Sequence, residues 1–278
     1  MTKKLSLFNP LYLYNSRDRI IPFIHYNILR DFRSFFSLLG IHLCANDRQL
    51  ASFKNCHKKD RCFILGNGPS LKIADLDLLQ GEITFACNKI YLAFKETAWR
   101  PTYYVVEDNL VIQQNHDTIN ELTGFIKFFP ERTKKIAPPF KNSLYFNQSL
   151  QNNYPDLPGF SSNAIYKLYN GATIVYTMIQ LAAFMGFREI YLLGVDFNFF
   201  VKNDAQGKIL LSDGEINHFH PDYRKNGEKW SKPRLDVQEK AFLSARASIQ
   251  KMNREIYDAT RGGKLTVFQK VNLDDILP

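Results

Sequence analysis

The chain of 278 residues has only four cysteines, and their spacing excludes two kinds of site. Cys44, Cys56, Cys62 and Cys87 match neither the paired spacing of a zinc site nor a disulfide framework. Free thiols in such numbers are typical of a reducing compartment. We therefore predict a cytoplasmic protein.

Two enzyme motifs and any long hydrophobic run are also missing. The chain has no Gly-Lys-Ser or Gly-Lys-Thr phosphate loop and no Gly-x-Ser-x-Gly elbow, which argues against P-loop phosphotransfer and serine-hydrolase chemistry. Polar residues interrupt the apolar stretches near the N-terminus, so the sequence predicts neither a signal peptide nor a transmembrane helix. The near-apolar run from Gly171 to Phe187 contains Thr173, Thr177 and Gln180 and predicts a buried helix.

The net charge of +9 is concentrated at the N-terminus. Residues 1–60 hold ten Lys or Arg against four Asp, a net of +6, which leaves +3 for the rest of the chain. Residues 20–39 place apolar side chains at helical spacing, and residues 46–60 are polar. We predict a basic, aromatic-rich helical leader over residues 1–60. Its apolar stripe would pack on the main domain, on a second copy in a homo-oligomer, or on an anionic membrane surface; a nucleic-acid partner is not predicted.

From residue 61 onward the pattern alternates between short strands and helices. Polar groups follow the predicted strands Cys62–Leu65, Ile83–Cys87, Tyr103–Val106 and Glu189–Gly194. Helices are predicted over 171–185 and 237–254, with later strands over 255–257 and near Thr266. This alternation predicts an α/β domain over residues 61–278, with a Rossmann-like, mostly parallel sheet and flanking helices. The long polar segment at about 198–230 is predicted to be a lid-like loop.

A glycine turn directly follows the first of these strands. Glycines let a backbone approach a ligand closely, and the amides of such a turn are expected to face an anion. The third glycine of the dinucleotide fingerprint is missing, so a turn without a ligand stays open as an alternative. The candidate nucleotide-binding residues here are Gly66, Asn67, Gly68 and Ser70.

Two further patterns carry candidate chemistry. Asp75 and Asp77 form an Asp-x-Asp pair, but their place in a short exposed helix favours a structural role over metal binding. His218 and His220 lie in the long loop, and on an extended segment both would point to one side. They are candidates for a general base; no nearby His or Cys completes a zinc set, and two ordinary loop histidines remain an alternative.

Several of these motifs together resemble a known family. They are the turn from Gly66 to Leu71, Cys87-Asn88, Asn170-Gly171, and the strand Glu189–Tyr191 leading to Gly194–Phe197. The combination resembles the bacterial sialyltransferases of glycosyltransferase family 42 and the wider superfamily named after the archaeal 6-hydroxymethylpterin diphosphokinase. The resemblance covers about residues 61–271.

This resemblance implies a transferase with a GT-A-like variant of the Rossmann-like sheet. It implies a CMP-activated nonulosonic acid donor, inversion at the anomeric carbon and no essential divalent metal or other cofactor. The acceptor would be a glycan or lipid-linked saccharide in lipopolysaccharide or capsule assembly, with the leader held at the inner membrane face. The residues implied for nucleotide binding are Asn67, Ser70, Asn88, Asp108 or Asn109, Asn170, Gly171 and Asp196, and His218 or His220 is implied as the base.

The sequence departs from that family at one place. Family 42 enzymes use tyrosines shortly after the Gly-Val-Asp strand to support the departing phosphate, whereas here Phe197 to Phe200 follow Asp196. Tyr223, Arg224 or Lys225 beside the histidines is a candidate replacement. Two other functions stay open. One is a pterin diphosphokinase using ATP and magnesium, with acidic ligands such as Asp75, Asp77, Asp108 or Asp196, and the other is a non-catalytic nucleotide-binding scaffold.

Overall fold

The computed structural model describes residues 32–33, 35–151, 153–199, 209–212 and 217–277. Its centre is an eight-stranded sheet in the order β12-β11-β8-β1-β2-β3-β4-β5, and all seven neighbouring pairs run parallel. The strands are β1 (Arg61–Leu65), β2 (Thr84–Cys87), β3 (Tyr103–Val105), β4 (Ile126–Pro130), β5 (Ser143–Phe146), β8 (Glu189–Leu193), β11 (Glu255–Asp258) and β12 (Gln269–Lys270). The predicted α/β, Rossmann-like fold is confirmed.

Helices and two small ladders complete the described part of the chain. The helices are α1 (Ala45–Ala51), α2 (Ile73–Leu78), α3 (Asn109–Glu121), α4 (Ile174–Met185) and α5 (Leu235–Lys251). One ladder pairs β6 (Gln148–Ser149) with β7 (Leu168–Tyr169) in parallel, and the other pairs β9 (Ile209–Leu211) with β10 (Lys229–Ser231) in antiparallel orientation. No helix among the described residues has the length and apolar character needed to cross a bilayer.

Helix α4 is the buried helix that the sequence predicted. All of its residues after Ile174 are buried, and it packs on β1 and α5. A helix that is apolar on every side can only be stable inside a core, which explains its position. It ends at Gly186, whose φ of +97° is in the left-handed region that favours glycine.

The sequence did not predict β4, β5 or the position of β12. The sequence did not indicate strand β4 because Lys127 interrupts its apolar pattern. In the structure this lysine is almost completely buried. Its Nζ donates to the carbonyl oxygens of Ile119, Asn120 and Leu122 at 3.0–3.1 Å, so it satisfies the last turn of α3. A charged residue inside a strand is therefore explained by a contact with a distant element.

The polar stretch at 46–60 is not an extended linker. Leu50 is fully buried, and the ring of Phe53 packs against those of Tyr103 and Phe128. His57 stacks on Phe187. Most of the predicted leader, residues 1–31 and 34, lies outside the described residues, and the division of the chain at residue 60 stays a prediction.

The strand order reverses between β1 and β8, and the turns that follow these two strands touch. Gly66 N donates to Leu193 O at 2.8 Å, and Gly68 N donates to Gly194 O at 3.0 Å. A Cβ atom on Gly66 would lie 2.3 Å from Gly194 O, and one on Gly68 would lie 1.8 Å from Asp196 Oδ2. These glycines are required because the two backbones approach too closely for any side chain.

We expect Gly66→Ala to destabilise the protein by about 3 kcal/mol, because the added methyl group has to push β8 away from β1. Urea unfolding measures this change. Gly81→Ala is the control, since its Cβ meets no atom within 4 Å and its φ of +87° adds backbone strain of about 1 kcal/mol. Equal losses in the two variants would show that the contact between the turns is not tight.

Candidate functional site

A cavity of about 240 Å³ opens at the carboxyl ends of the strands, beside the point where the strand order reverses. In open α/β sheets this is where ligands bind. Its floor comes from the turns after β1, β2, β3 and β8, and its walls come from the start of α4 and from residues 217–233. Nine residues predicted from the sequence line it: Gly66, Asn67, Gly68, Asn88, Asp108 and Asp196 from the sheet, and His218, Tyr223 and Arg224 from the loop.

Five other predicted residues do not line this cavity. Asn170 Oδ1 accepts a hydrogen bond from Ala172 N, and Gly171 lies where a Cβ would be 2.6 Å from Ala241 and Tyr176. Both shape the turn into α4 instead. Asn109 Oδ1 accepts from Arg132 Nη1, and Ser70 and His220 are bonded elsewhere. Their roles as ligands stay predictions.

The amides of Gly66 and Gly68, which the sequence predicted to face an anion, are bonded within the protein instead. The amides of Gly66 and Gly68 donate to the turn after β8, as described above, and Leu71 N donates to Gly68 O. Ser70 Oγ donates to Asp196 Oδ2 at 2.8 Å. Because β1 and β8 lie side by side, the amides of Gly66 and Gly68 and the hydroxyl of Ser70 bond across to the end of β8 and the turn that follows it.

Two asparagines that line the cavity have unmatched side-chain oxygens. The Oδ1 atoms of Asn67 and Asn88 are buried and have no hydrogen-bond partner among the described residues. A buried acceptor without a donor costs about 1–3 kcal/mol, so N–H groups of a ligand that reached these oxygens would offset that cost. The indole Nε1 of Trp230, a third lining residue, is likewise a buried donor without a partner in the described part of the chain.

Asn67 also ties the long loop to the sheet. Its side-chain Nδ2 donates to Cys87 O at 3.0 Å and to Tyr223 Oη at 2.9 Å. Its backbone carbonyl oxygen accepts from Phe219 N at 3.0 Å. Tyr223 is buried as a result, and burial is the main reason why its pKa is raised. The turn after β1 and the loop therefore move as one unit.

The loop histidines have separate environments. Residues 218–220 form a bend and not a strand, so the expectation that both rings point to one side is wrong. His218 stacks on Tyr223 with 3.8 Å between ring centroids and lines the cavity. His220 faces Glu96, 3.3 Å away, and its Nδ1 accepts from Asp222 N. Only His218 can meet a ligand in the cavity.

Burial, and then the nearby charges of Arg224 and Lys89, lower the pKa of His218 to about 2. Arg224 Nη2 lies 3.5 Å from His218 Nε2, and the guanidinium carbon is 3.7 Å from the centre of the Trp230 ring. The imidazole is therefore neutral and a weak base in the ligand-free protein. The ring thus stacks on Tyr223 and lies beside Arg224, which itself stacks on Trp230.

Three lining residues that matter for the chemistry of the cavity were not predicted from the sequence: Glu107, Trp230 and Lys232. Glu107 follows β3 and is buried, and Lys232 follows β10. The polar residues after β3 indicated this part of the cavity, but the sequence predicted Asp108 and Asn109 as the binding residues there. Asp108 Oδ1 accepts from Leu110 N and so caps α3.

The acidic pair after β1 has a structural role, as the sequence favoured. Asp75 Oδ1 pairs with Arg261 Nη1 at 2.5 Å, and its Oδ2 accepts from Lys72 N. Asp77 accepts a hydrogen bond from Thr97. Within the described ranges, no three His, Cys, Asp or Glu side chains lie close enough together to hold a metal ion.

The lowered pKa of His218 predicts a loss of stability in acid. Between pH 6.5 and 2 the unfolded chain binds a proton at this residue and the folded chain does not, so stability falls as the pH drops below about 6.5. His218→Phe keeps the stacked ring but removes the titrating group. Relative to this variant, the free energy of unfolding of the wild type should fall by on the order of 2 kcal/mol between pH 7 and pH 5. Chemical unfolding across this pH range measures the difference.

The control for that series is Ile249→Val, a fully buried change without a titrating group. Its offset from the wild type should be constant with pH. A constant offset for His218→Phe as well would mean that the imidazole titrates normally in the folded protein.

The chain is similar to one family model and to a solved structure. Residues 42–202 match the model of the family described as 6-hydroxymethylpterin diphosphokinase MptE-like. A solved structure titled "Structure of MAf glycosyltransferase from Magnetospirillum magneticum AMB-1" is similar, with a TM-score of 0.49 and 16% identity. The similarity covers 84% of this chain but only 39% of that one. No curated protein matches the chain.

The family match spans more than half of the chain and includes the turns after β1, β2, β3 and β8 that form the floor of the cavity. It confirms the superfamily to which the sequence motifs pointed. The protein belongs to the 6-hydroxymethylpterin diphosphokinase MptE-like family.

Proposed function

We propose that this protein is a glycosyltransferase that moves a nonulosonic acid, sialic acid or a relative, from a CMP-activated donor to a surface-glycan acceptor. Transfer would invert the anomeric carbon and would need no divalent metal. The observation that carries the proposal is that Asn67 and Asn88, which line the cavity at the strand-order reversal, both have a buried side-chain oxygen without a partner among the described residues.

Cytosine matches the polar groups of this cavity. Its exocyclic amine supplies two N–H donors for the Oδ1 atoms of Asn67 and Asn88, and its carbonyl oxygen accepts from a donor such as Trp230 Nε1. All three residues line the same cavity. Base recognition by amide and indole groups is therefore part of the proposal.

The cationic side of the cavity suits the single phosphate of a CMP-sugar. Arg224 and Lys232 line it, and α4, a helix of 12 residues, begins there with Thr173 as its cap. A guanidinium group binds phosphate strongly and supports negative charge that develops on a leaving group. In this proposal Arg224 performs the task that tyrosines perform in family 42 enzymes.

The pterin diphosphokinase is the second candidate, because carboxylates line the same cavity. Glu107, Asp108 and Asp196 are oxygen donors of the kind that magnesium bound to ATP requires. The two candidates differ in their ligand: one binds CMP without a metal, and the other binds ATP with magnesium.

The acceptor, the inner-membrane location and contact of the leader with lipid are further parts of the proposal. The acceptor would be a glycan or lipid-linked saccharide of the cell surface. The net charge of +6 in residues 1–60 supports attraction to anionic lipid. A non-catalytic scaffold would use the same surfaces without turnover.

The first test is calorimetric binding of CMP, CDP, UDP, GDP and ATP to the full chain, with and without magnesium. We expect CMP to bind without metal, and Asn88→Gly to weaken it about tenfold, because one hydrogen bond to the base is lost. Glycine is chosen since Asn88 has a φ of +49°. Asn142→Gly is a matched control: the same residue type with the same φ of +49°, exposed and outside the cavity lining.

Each outcome of this screen has a distinct meaning. If the protein binds ATP with magnesium and does not bind CMP, the result would contradict the transferase proposal and favour the pterin diphosphokinase. A response to none of the five nucleotides would favour the scaffold. Equal affinity of Asn88→Gly and Asn142→Gly for CMP would remove Asn88 from the proposed base site.

A further inference from the structure

A second cavity of about 590 Å³ adjoins the first. It lies between the start of α3, β9 and the segment after β10, and Leu110, Leu150 and Ile209 form its apolar part. The residues that line both cavities are Glu107, Asp108, Ala172, Ser231 and Lys232. A donor in the first cavity and an acceptor in the second would therefore meet at this shared wall.

Glu107 is a buried carboxylate in that wall, with an exposed fraction of 7%. Its Oε2 accepts from Thr177 Oγ1 at 2.7 Å and from Gln148 Nε2 at 2.5 Å. Both contacts use the same oxygen, and Oε1 has no partner among the described residues. One oxygen fixes the orientation of the group, and the other remains for a ligand.

The surroundings of Glu107 raise the pKa of its carboxyl group, which makes the carboxylate a stronger base. Burial raises its pKa above the ordinary value for glutamate, and Asp108 acts in the same direction. Hydrogen bonds from Thr177 and Gln148 and the charge of Arg132 oppose this rise; Arg132 Nη2 donates to the backbone carbonyl of Glu107 at 2.6 Å. Lys232 is a further cation on the shared wall.

His218 is a poorer candidate for the same task. Its neutral ring is held between Tyr223 and Arg224, and Nε2 faces the guanidinium group. His218 lines the first cavity alone, whereas Glu107 lines both. The two cavities favour the carboxylate over the imidazole.

We propose that Glu107 is the general base of the transfer and that the acceptor enters through the second cavity; this inference rests on the proposed function. Glu107 takes the proton from the acceptor hydroxyl as that oxygen forms a bond with the anomeric carbon. The bond between the anomeric carbon and the phosphate oxygen breaks, and CMP leaves with the electron pair. Catalysis by a positioned base contributes about 10²–10⁴ in rate.

The test measures release of CMP from CMP-N-acetylneuraminic acid, with water as the acceptor, by the full chain. Glu107→Gln keeps the shape and the acceptor for Thr177 and Gln148 but cannot take a proton. We expect its rate to fall at least about 100-fold while its affinity for CMP stays within about threefold. Glu121→Gln, on the exposed end of α3 and outside both cavities, should match the wild type.

Two further readouts separate a base from a structural role. The wild-type rate should rise with pH through the raised pKa of Glu107, and this limb should vanish in Glu107→Gln. Added formate should restore part of the rate of Glu107→Ala, because a small carboxylate replaces the missing one.

Failure of the inference is distinguishable from failure of the proposed function. A Glu107→Gln rate within threefold of the wild type would overturn Glu107 as the base and leave the transferase intact, and loss of the rate in His218→Gln would then assign that role to the imidazole. A wild type that binds no CMP and releases none from the donor would overturn the proposed function, and with it this inference.

Discussion

The close contact between the turns after β1 and β8 is the constraint on which the site depends. Gly66 and Gly68 carry no side chain because the carbonyl of Gly194 and the carboxylate of Asp196 occupy that space. Their amides join the turns, and Ser70 adds a bond to Asp196. Because these donors are used in packing, ligand recognition falls to side chains around the turns and to the loop that covers them.

The covering loop is held by the same turn. Asn67 bonds to Tyr223 and Phe219, and Tyr223 in turn supports the His218 ring beside Arg224. A displacement of the turn would therefore change the position of the cation in the cavity. Asn67 thus fixes the loop through Nδ2, while its Oδ1 stays a buried acceptor without a partner among the described residues.

Burial acts in opposite directions on two titratable groups of the cavity. It lowers the pKa of His218 and raises that of Glu107, because the low-dielectric surroundings disfavour the charged form of each. The imidazole thereby becomes a weaker base and the carboxylate a stronger one. The proposal that Glu107 takes the proton of the acceptor rests on this difference together with its position in the lining of both cavities.

The sequence by itself determined the α/β fold, the buried helix α4 and the glycine turn, because these depend on local periodicity and on backbone freedom. It also found most of the cavity floor, since polar residues at strand ends meet at one edge of a parallel sheet. Only the tertiary structure decided that Lys127 belongs to a strand, that the amides of Gly66 and Gly68 are occupied, that His220 faces away from the cavity, and that Glu107 lines two adjoining cavities. Each of these depends on a contact with an element far away in the chain, and local spacing carries no information about such contacts.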